Sequence, residues 1–460
     1  MRYAALARIL GAEQLGLAAV IVLTGQFFDS LTDAGSDRFL IQDQQGHSAL
    51  AFRLVQLVAG FRGIAMAVLI IVLAGPIAEF ARAPQAAEAL RFFAIVPLLM
   101  GFTNYDFRAA QRDHEFLPEA RVMAASELAG LIATVAAGLV LRNFTAIIYG
   151  LTARALVAVI VSHLVARRRY AVGYDGTLAR RLWRFGAPLM VNGLLLFAAT
   201  QSDRIIISRM LGVAELGRYS VVLLPILYPA ATIMKYLATL YLPQLTGALS
   251  QTDEFSRVGR SLSGLCFALA SAMSLGFAFV APTVLPIVFG RTFVQSSAVV
   301  ALVGILMSFR LIKVAPTTVA IAMGETTIAP LNNVLRLLGI VCAIVGVHLI
   351  GGLPGVVLGL IVGELVANVS ATLLVNRRAG WTLKRDGGQY LLFIALCTAV
   401  LARAVAADSG FTWLMLACSI AALLMLVPYL PMAAAWFRNR AERRDIAGVM
   451  SAVPLESPDQ

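Results

Sequence analysis

The nine residues Arg8-Ile-Leu-Gly-Ala-Glu-Gln-Leu-Gly16 are matched, at an offset of 201, by Arg209-Met-Leu-Gly-Val-Ala-Glu-Leu-Gly217. The shared pattern is R-x-L-G-x-x-x-L-G, with five identities in nine positions, and each copy stands directly before an apolar run of similar length. An offset of 201 residues between the two copies leaves room for about six membrane-spanning helices in each half. The motif therefore predicts two six-helix halves related by a parallel repeat.

Apolar runs long enough to cross a bilayer follow one another along the whole chain, since a spanning helix needs about 20 apolar residues. We identify thirteen such runs, with the approximate limits 13–33, 54–78, 88–107, 122–141, 143–165, 185–207, 215–240, 258–281, 293–313, 328–350, 353–375, 389–407 and 411–435. The connections between them are short. The sequence predicts an all-α integral membrane protein without an extramembrane domain.

The composition excludes most other classes of protein. The 460 residues are 60% hydrophobic and 13% charged, with a mean hydropathy of +0.83. These values exclude a disordered chain, a collagen, a secreted disulfide scaffold and an ordinary cytosolic enzyme. The net charge of +12 lies mostly in short loops, which is the distribution of a polytopic membrane protein and not of a nucleic-acid-binding one.

The basic residues also predict an orientation. With the four cations that fall within runs set aside, twenty-three of the remaining thirty-three lie on the side of loops 166–184 and 376–388 and of the C-terminal tail, and ten on the other. The richer side is expected to be cytoplasmic. This assignment places the tail inside the cell and the N-terminus, with Arg2 and Arg8, outside.

The two copies of the motif differ in what precedes them. A full run, 185–207, precedes the second copy, whereas only residues 1–7 precede the first. The sequence thus predicts an architecture of fourteen helices from which this chain, or its assigned start, lacks the first. A helix ahead of Arg8 would return the N-terminus to the cytoplasm.

Several motifs carry a resemblance to a known family. They are the repeat motif itself, Arg184-Phe-Gly-Ala-Pro188, Gln201-Ser-Asp-Arg204, and Leu211-Gly212 through Leu216-Gly-Arg-Tyr-Ser220. With these motifs the chain resembles the polysaccharide and O-antigen lipid-linked oligosaccharide flippases (Wzx-type) of the multidrug/oligosaccharidyl-lipid/polysaccharide exporter superfamily. The resemblance runs from about residue 8 to about residue 376. It implies two six-helix bundles around a central cavity, often with an extra C-terminal helix pair, and alternating access that flips an undecaprenyl-diphosphate-linked glycan across the bacterial inner membrane.

This resemblance gives a domain division and a set of partners. The division is into an N-terminal bundle, a basic cytoplasmic linker, a C-terminal bundle, an extra helix pair and a cytoplasmic tail, at 1–165, 166–184, 185–376, 389–435 and 436–460. The implied partners are the lipid-linked anionic glycan, membrane lipids, a glycan polymerase and glycosyltransferases. We expect a monomer, because a chain with so many internal neighbours has little need of a dimer interface.

Cationic residues inside the runs are candidates for binding an anionic head group, because charge within a membrane span is costly and usually faces an interior. Arg154 lies well inside its run, and so does Lys235, which shares a helical face with Thr232 and Thr239. Arg62 and Arg336 also belong to this set. They lie nearer the ends of their runs, where an arginine can reach the lipid head groups instead. For Arg154 and Lys235 the alternative is a structural pair with a neighbouring acid.

Acidic residues in or beside the runs are candidates for a coupling proton or ion. Glu364 lies near the middle of its run and Glu127 about one turn into its own, while Asp29 is close to a run end. Asp203, next to Arg204 in the motif region, is interpreted first as a structural partner near the outer surface and second as a coupling site.

Signatures of other functions are missing from the sequence. It contains no G-x-x-x-x-G-K-[ST] phosphate-binding loop, and its cysteines and histidines show no metal-ligand spacing. We therefore expect a transporter and not an enzyme, with no metal and no cofactor. The alternatives are a cation-coupled multidrug exporter of the same superfamily, a membrane-embedded glycan polymerase or ligase, and a structural partner without transport.

Overall fold

The computed structural model describes residues 2–325, 327–379, 383–410 and 412–424, and these residues form helices and connecting loops without a strand. The helices of the first half of the chain are α1 (Arg2–Ile9), α2 (Ala12–Thr32), α3 (Ser36–Gln42), α4 (Ala49–Phe80), α5 (Ala87–Phe93), α6 (Ile95–Met100), α7 (Asp106–Ala109), α8 (Leu117–Leu141), α9 (Ala146–Val165) and α10 (Gly176–Leu211). They are followed by α11 (Val213–Gly247), α12 (Thr252–Phe289), α13 (Ser297–Ile312), α14 (Val314–Ala322), α15 (Ile328–Arg336), α16 (Leu338–Leu349), α17 (Gly352–Ala379), α18 (Leu383–Asp408) and α19 (Thr412–Leu424).

The helices confirm the all-α membrane fold. Among the described residues, 11 helical segments are long and apolar enough to cross a membrane. Large apolar side chains on these helices face outward, as Phe61, Val140 and Leu164 do with 72%, 80% and 77% of their surface exposed. A helix that is apolar on its outward face needs lipid as its solvent. The chain is therefore a multi-pass membrane protein.

The predicted runs 88–107 and 328–350 are each divided between two helices in the structure, the second at Leu337 between α15 and α16. The run 88–107 was expected to form one helix, but α5 and α6 are separate short helices that meet at Ala94. Pro97 explains the break, because proline has no amide hydrogen and its ring clashes with the carbonyl four residues earlier. The run 411–435 is described only to residue 424, and the tail 436–460 lies outside the described residues.

The chain packs into two compact units, of which the first comprises Met1–Val222, Val284–Val294 and Ala343–Val356. In this unit α10 lies against α2 at close range because α10 carries glycines where the helices meet. A Cβ atom on Gly193 would lie 3.0 Å from the carbonyl oxygen of Ser30 on α2, and one on Gly186 would lie 2.9 Å from the Cβ of Ala34, just beyond the end of α2. Small residues allow such an approach of helix backbones. The packing makes α10 one wall of the cavity described below.

The second unit comprises Leu223–Thr283, Gln295–Cys342 and Val357–Gln460. Its core contains a group of aromatic side chains from α12, α13 and α18. The ring centroids of Phe309 and Phe393 are 5.2 Å apart, and those of Phe267 and Tyr390 are 4.9 Å apart, both edge to face. Such pairs stabilise a core beyond the burial of their area. The division of the chain at 166–184 and the other predicted domain boundaries stay predictions.

Candidate functional site

The first unit contains a cavity of about 590 Å³, which we call the chamber. It lies between α2, α3, α4, the segment around α6 and α7, and α10. Its polar lining consists of Gln26, Asp29, Ser30, Asp33, Ser36, Asp37, Arg38, Arg62, Thr103, Tyr105, Arg108, Asn192, Thr200 and Gln201. A polar lining of this extent inside apolar helices marks a site for a polar ligand.

Three aspartates spaced by four residues form one side of the chamber, and each faces an arginine. The nearest nitrogen and oxygen are 3.0 Å apart for Arg62 and Asp29, 3.9 Å for Arg38 and Asp33, and 3.8 Å for Arg108 and Asp37; these are the three pairs of the chamber wall. The three positive charges thus face three negative ones. The chamber presents strong hydrogen-bonding groups with little net charge.

Arg62 is the predicted cation that the structure places in the chamber. Its guanidinium donates to the hydroxyl of Thr32 at 2.9 Å and to the carboxylate of Asp29 at 3.0 Å. Its side chain is 28% exposed and that of Asp29 is 67% exposed. Both side chains are accessible, so a ligand anion could take the place of the carboxylate on the guanidinium.

The chamber also contains polar atoms that have no hydrogen-bond partner within the described part of the chain. They are the hydroxyl of Thr103 and the amide oxygens of Gln26 and Gln201. Buried polar atoms are nearly always satisfied in folded proteins. These three therefore indicate where water or a ligand's hydroxyl groups would bind.

The other predicted cations of the first half lie elsewhere. Arg154 on α9 pairs with Glu127 on α8, with 2.6 Å between Nε and Oε1, and both side chains are about half exposed. Neither residue lines the chamber. The structure thus brings two candidates of opposite charge together as a pair, which is the structural alternative stated above. Their predicted roles in substrate binding and coupling stay predictions.

Lys235 lies in the second unit, on α11, where it is exposed together with Thr232 and Thr239. Tyr228, one turn further back on the same helix, is 64% exposed. The shared polar face expected from the sequence is therefore present. That Lys235 and Arg154 point into one chamber stays a prediction.

Glu364 lies at the centre of a buried ionic cluster in the second unit. Its carboxylate is 2.8 Å from Nε of Arg310, 3.3 Å from Nζ of Lys313 and 2.5 Å from Nε of Arg336. All four side chains are at most 15% exposed. Within these four residues three positive charges surround one negative charge. Arg336, for which the sequence allowed contact with head groups, is turned inward to this cluster.

Arg310 and Lys313 were not among the predicted site residues. They stand at the end of the apolar run 293–313, where hydropathy alone assigns a cation to a loop. In the structure the helical segment continues through both positions to Ala322. Their spacing of three residues, which places both on one helix face, was the available signal.

Asp203 is almost fully buried, at 1% exposure, and accepts a hydrogen bond from the hydroxyl of Tyr219 at 2.8 Å. Both residues belong to the first unit, on α10 and α11. Asp203 therefore joins the end of one helix to the next. Its candidacy for ion coupling stays a prediction.

Comparison with solved structures places this fold among known transporters. The chain resembles the lipid II flippase MurJ in an inward closed conformation with a TM-score of 0.66, 12% identity and 96% of both chains covered. It resembles an inward-facing multidrug resistance MATE family transporter of the MOP superfamily with a TM-score of 0.65, 13% identity, and 82% and 93% of the two chains covered. At these identities the likeness shows the fold.

Sequence relatives are named for polysaccharide assembly. The succinoglycan biosynthesis transport protein ExoT of Rhizobium meliloti (strain 1021) is 32% identical over 225 residues, which are 47% of this chain and 43% of that protein. The lipopolysaccharide biosynthesis protein WzxC of Escherichia coli (strain K12) is 22% identical over 372 residues, or 80% and 74% of the two chains. The ExoT match thus spans less than half of that relative's length.

Residues 5–298 match the family described as Polysaccharide biosynthesis protein. This range contains both copies of the repeat motif and every residue that lines the chamber. The resemblance found in the sequence motifs is confirmed, and the chain belongs to the polysaccharide biosynthesis protein family.

Proposed function

We propose that the protein flips a lipid-linked anionic oligosaccharide from the cytoplasmic to the periplasmic leaflet of a bacterial inner membrane by alternating access, without changing a covalent bond. The family, the transporter fold and the names of the relatives support this function. The observation that carries it is the chamber, because a glycan diphosphate cannot cross hydrocarbon and needs a polar path.

The chemistry of the chamber suits a head group of this kind. A guanidinium binds phosphate oxygens with two parallel hydrogen bonds, and Arg62 is accessible for such a contact. In the structure the carboxylate of Asp29 accepts a hydrogen bond from the guanidinium of Arg62. We infer that the diphosphate takes the place of the Asp29 carboxylate on the Arg62 guanidinium. The sugars would meet the amide and hydroxyl groups of Gln26, Thr103 and Gln201.

The same exchange offers a link to an ion gradient. A protonated Asp29 would hold Arg62 less strongly, and the arginine would then be available to the diphosphate. Asp29 is therefore our candidate for coupling in the chamber, while Glu127, Asp203 and Glu364 are engaged in other contacts. Protonation would favour binding, so the proton and the glycan would cross together, and acidification of the cytoplasmic side should favour export.

The remaining proposals concern surroundings and orientation. We propose that loop 166–184 and the C-terminus lie in the cytoplasm, because the side that holds them has the excess of basic residues. We propose that the chain acts as a monomer beside the glycosyltransferases that build the glycan and the polymerase that uses it. Arg154 and Lys235 remain candidates for additional contacts with the anion. Arg336 is a candidate only together with the other residues of the buried cluster around Glu364.

A reconstituted flipping assay tests the function. The protein is placed in proteoliposomes with undecaprenyl diphosphate that carries a fluorescent N-acetylglucosamine, and an impermeant reductant measures the outward-facing fraction. Arg62→Ala should slow flipping about tenfold or more, because a charge-assisted hydrogen bond contributes about 1.5–3 kcal/mol. Arg62→Lys should retain part of the rate, since the charge remains although the planar fork does not.

Arg257→Ala is the matched control, because Arg257 is a surface arginine, 72% exposed, whose partner Glu254 lies on the same helix. It should flip the probe at the wild-type rate. No flipping by the wild-type protein above empty liposomes, or equal rates for Arg62→Ala and wild type, would contradict the proposal. Arg154→Ala and Lys235→Ala in the same assay decide whether these two cations take part.

A cation-coupled multidrug exporter is the second candidate, and the three aspartates of the chamber favour it. Acidic groups in a polar cavity attract organic cations as arginines attract anions. The same proteoliposomes loaded with ethidium distinguish the two functions. Ethidium transport that Asp29→Asn abolishes, without flipping of the glycolipid, would establish the exporter.

A further inference from the structure

The two copies of the repeat motif contact each other at their last glycines. A Cβ atom on Gly16 would overlap the carbonyl oxygen of Val213 and lie 3.2 Å from the amide nitrogen of Gly217. A Cβ atom on Gly217 would overlap the carbonyl oxygen of Ala12 and lie 2.9 Å from the amide nitrogen of Gly16. At the offset of 201, Ala12 corresponds to Val213 and Gly16 to Gly217. The two copies therefore make the same contact in both directions. This is the arrangement that a local two-fold axis between them would produce.

The first arginine of the motif reaches across to the other half of the repeat. Arg8 donates from Nη2 to the carbonyl oxygen of Ile287 at 2.5 Å and from Nε to that of Val288 at 2.7 Å. These carbonyls belong to the last turn of α12, which ends at Phe289. The last carbonyls of a helix lack partners within the helix and favour a cation.

The second copy makes the corresponding contact. The guanidinium of Arg209 lies over the ring of Phe80, 5.6 Å from its centroid, and Phe80 is the last residue of α4. The neighbouring Ser208 donates to the carbonyl oxygen of Ala81 at 2.8 Å. The helices α4 and α12 are the second long helices after their copies of the motif. Each copy thus holds the end of the other half's second helix.

All of these contacts lie at one end of α10. This helix begins at Gly176, within the segment 166–184 that the sequence assigned to a basic loop, and ends at Leu211, beside Arg209. With 36 residues it is about 54 Å long, enough to cross the membrane. The contact between the two motif copies, which we call the motif crossing, is therefore on the opposite side of the membrane from residues 166–175, which precede α10.

We propose that this crossing is the outer closure of the transport path, which the two motif copies form by touching and open by separating. The inference rests on the alternating access proposed above. Gly16 and Gly217 permit backbone contact only in the closed state, and Arg8 and Arg209 hold the ends of α12 and α4 while it is closed. The closure consists of arginine contacts to two helix ends and of backbone contact at two glycines, so few interactions have to break when the two copies separate.

Spin-label distances test the closure without any substrate. The four native cysteines are replaced, and labels are attached in a Glu13→Cys, Ala214→Cys variant, whose positions are equivalent at the offset of 201 and are both accessible. We expect a short main distance in the wild-type background and a longer one after Gly16→Leu or Gly217→Leu. The two substitutions together should lengthen the distance no further than one alone, because the first already separates the contact. Arg8→Gln with Arg209→Gln should raise the longer population.

Gly11→Leu is the matched control within the motif, since a Cβ atom at Gly11 meets nothing within 4 Å and its φ of −72° suits any residue. It should leave the distance unchanged. A short, unchanged distance in well-folded Gly16→Leu, or equal lengthening in Gly11→Leu, would overturn the proposal. Where a leucine variant fails to fold, Gly16→Ala with the same labels carries the test.

A cross-linking arm connects the closure with transport. A short bis-maleimide that joins the two introduced cysteines should arrest flipping of the fluorescent glycolipid, and the single-cysteine variants treated alike should flip at their untreated rate. Full flipping by the cross-linked protein would show that the contact does not need to open. Failure of the wild-type protein to flip the probe would contradict the proposed function and leave the label distances as the test of the closure.

Discussion

Nη2 of Arg181 lies 2.8 Å from Oδ2 and 2.9 Å from Oδ1 of Asp43, which joins the first turns of α10 to the segment that follows α3. The two side chains are 40% and 16% exposed, so the pair is partly shielded from water. The backbone carbonyl of Asp43 also accepts a hydrogen bond from Arg112 at 2.8 Å. This pair fixes α3, which carries Asp37 of the chamber wall, at the end of α10 opposite the motif crossing.

Arg181→Ala should lower the melting temperature of the purified protein in detergent, with a loss of about 1 kcal/mol, the upper range for a partly exposed pair. Arg180→Ala is the control, because the neighbouring Arg180 is exposed. High salt should reduce the difference between wild type and Arg181→Ala. Equal melting temperatures of all three proteins at low salt would mean that the contact does not stabilise α10.

Asp29→Asn should uncouple glycolipid flipping from an imposed pH gradient. The substitution removes the acid that competes for Arg62, so the half-saturating concentration of the fluorescent glycolipid should fall while the dependence of the rate on the gradient disappears. Asp253→Asn, at an exposed position in the first turn of α12, should keep both wild-type properties. An Asp29→Asn protein that retains the full gradient dependence would exclude Asp29 as the coupling group.

Glu364→Gln should destabilise the protein strongly, because it leaves three buried cations without their shared carboxylate. Breaking a buried ion pair by removing one partner costs about 3–5 kcal/mol. Glu127→Gln is the comparison, since that exposed pair with Arg154 should contribute roughly 1 kcal/mol or less. Thermal melting in detergent measures both.

Adding Arg336→Leu to Glu364→Gln should restore part of the lost stability, because it removes one of the cations that Glu364 contacts and so reduces repulsion within the cluster. A second outcome would support the coupling role predicted for Glu364. In that case Glu364→Gln would melt like the wild-type protein but would no longer respond to the gradient.

We expect Asp175, which lies outside the membrane at the start of α10, to make a pH-dependent contribution to the stability of the folded protein. Hydrogen bonds from the Thr177 hydroxyl and from the amide of Leu178 hold the pKa of Asp175 below its ordinary value of 3.8. A lowered folded-state pKa gives stability that is fully present above the ordinary pKa and is lost as the pH falls through the lowered one. The melting temperatures of wild type and Asp175→Ala should therefore differ at neutral pH and converge in acid.

Thr177→Val refines this test because it removes only the hydroxyl and leaves the backbone amides that bind Asp175. The pKa of Asp175 should move up toward its ordinary value, so the loss of stability on acidification should begin at a higher pH. A difference between wild type and Asp175→Ala that is constant over the whole pH range would rule out this capping interaction as its source.

The membrane fold could be predicted because hydrophobicity along the chain is a local property. The run 54–78 lies within α4 and the run 143–165 closely matches α9. The break between α5 and α6 could have been predicted from Pro97. The prediction of one helix over the run 88–107 was wrong because it relied on hydropathy and gave too little weight to Pro97.

The candidate site was less predictable because it depends on which helices meet. The sequence singled out Arg62 and Asp29, and separation by 33 residues gives no hint that they bind each other. Arg108 and Gln201 reach the chamber only through the packing of their helices. Arg310 was missed for a related reason: Glu364, 54 residues away, permits a cation inside an apolar helix.

The motif contact has a further consequence for how the two halves can vary. Contact between equivalent positions is the form of an isologous interface, which two identical six-helix subunits would make about a two-fold axis. In such a dimer one substitution would change the interface twice, whereas in a single chain each copy can diverge by itself. Gly11 and Gly212 show this divergence: Gly11 has a φ of −72°, open to any side chain, while Gly212 has a φ of 94°, which only glycine adopts readily. Because the two halves are joined in one chain, the contact stays symmetric at Gly16 and Gly217, while the residues that flank it can differ between the two copies.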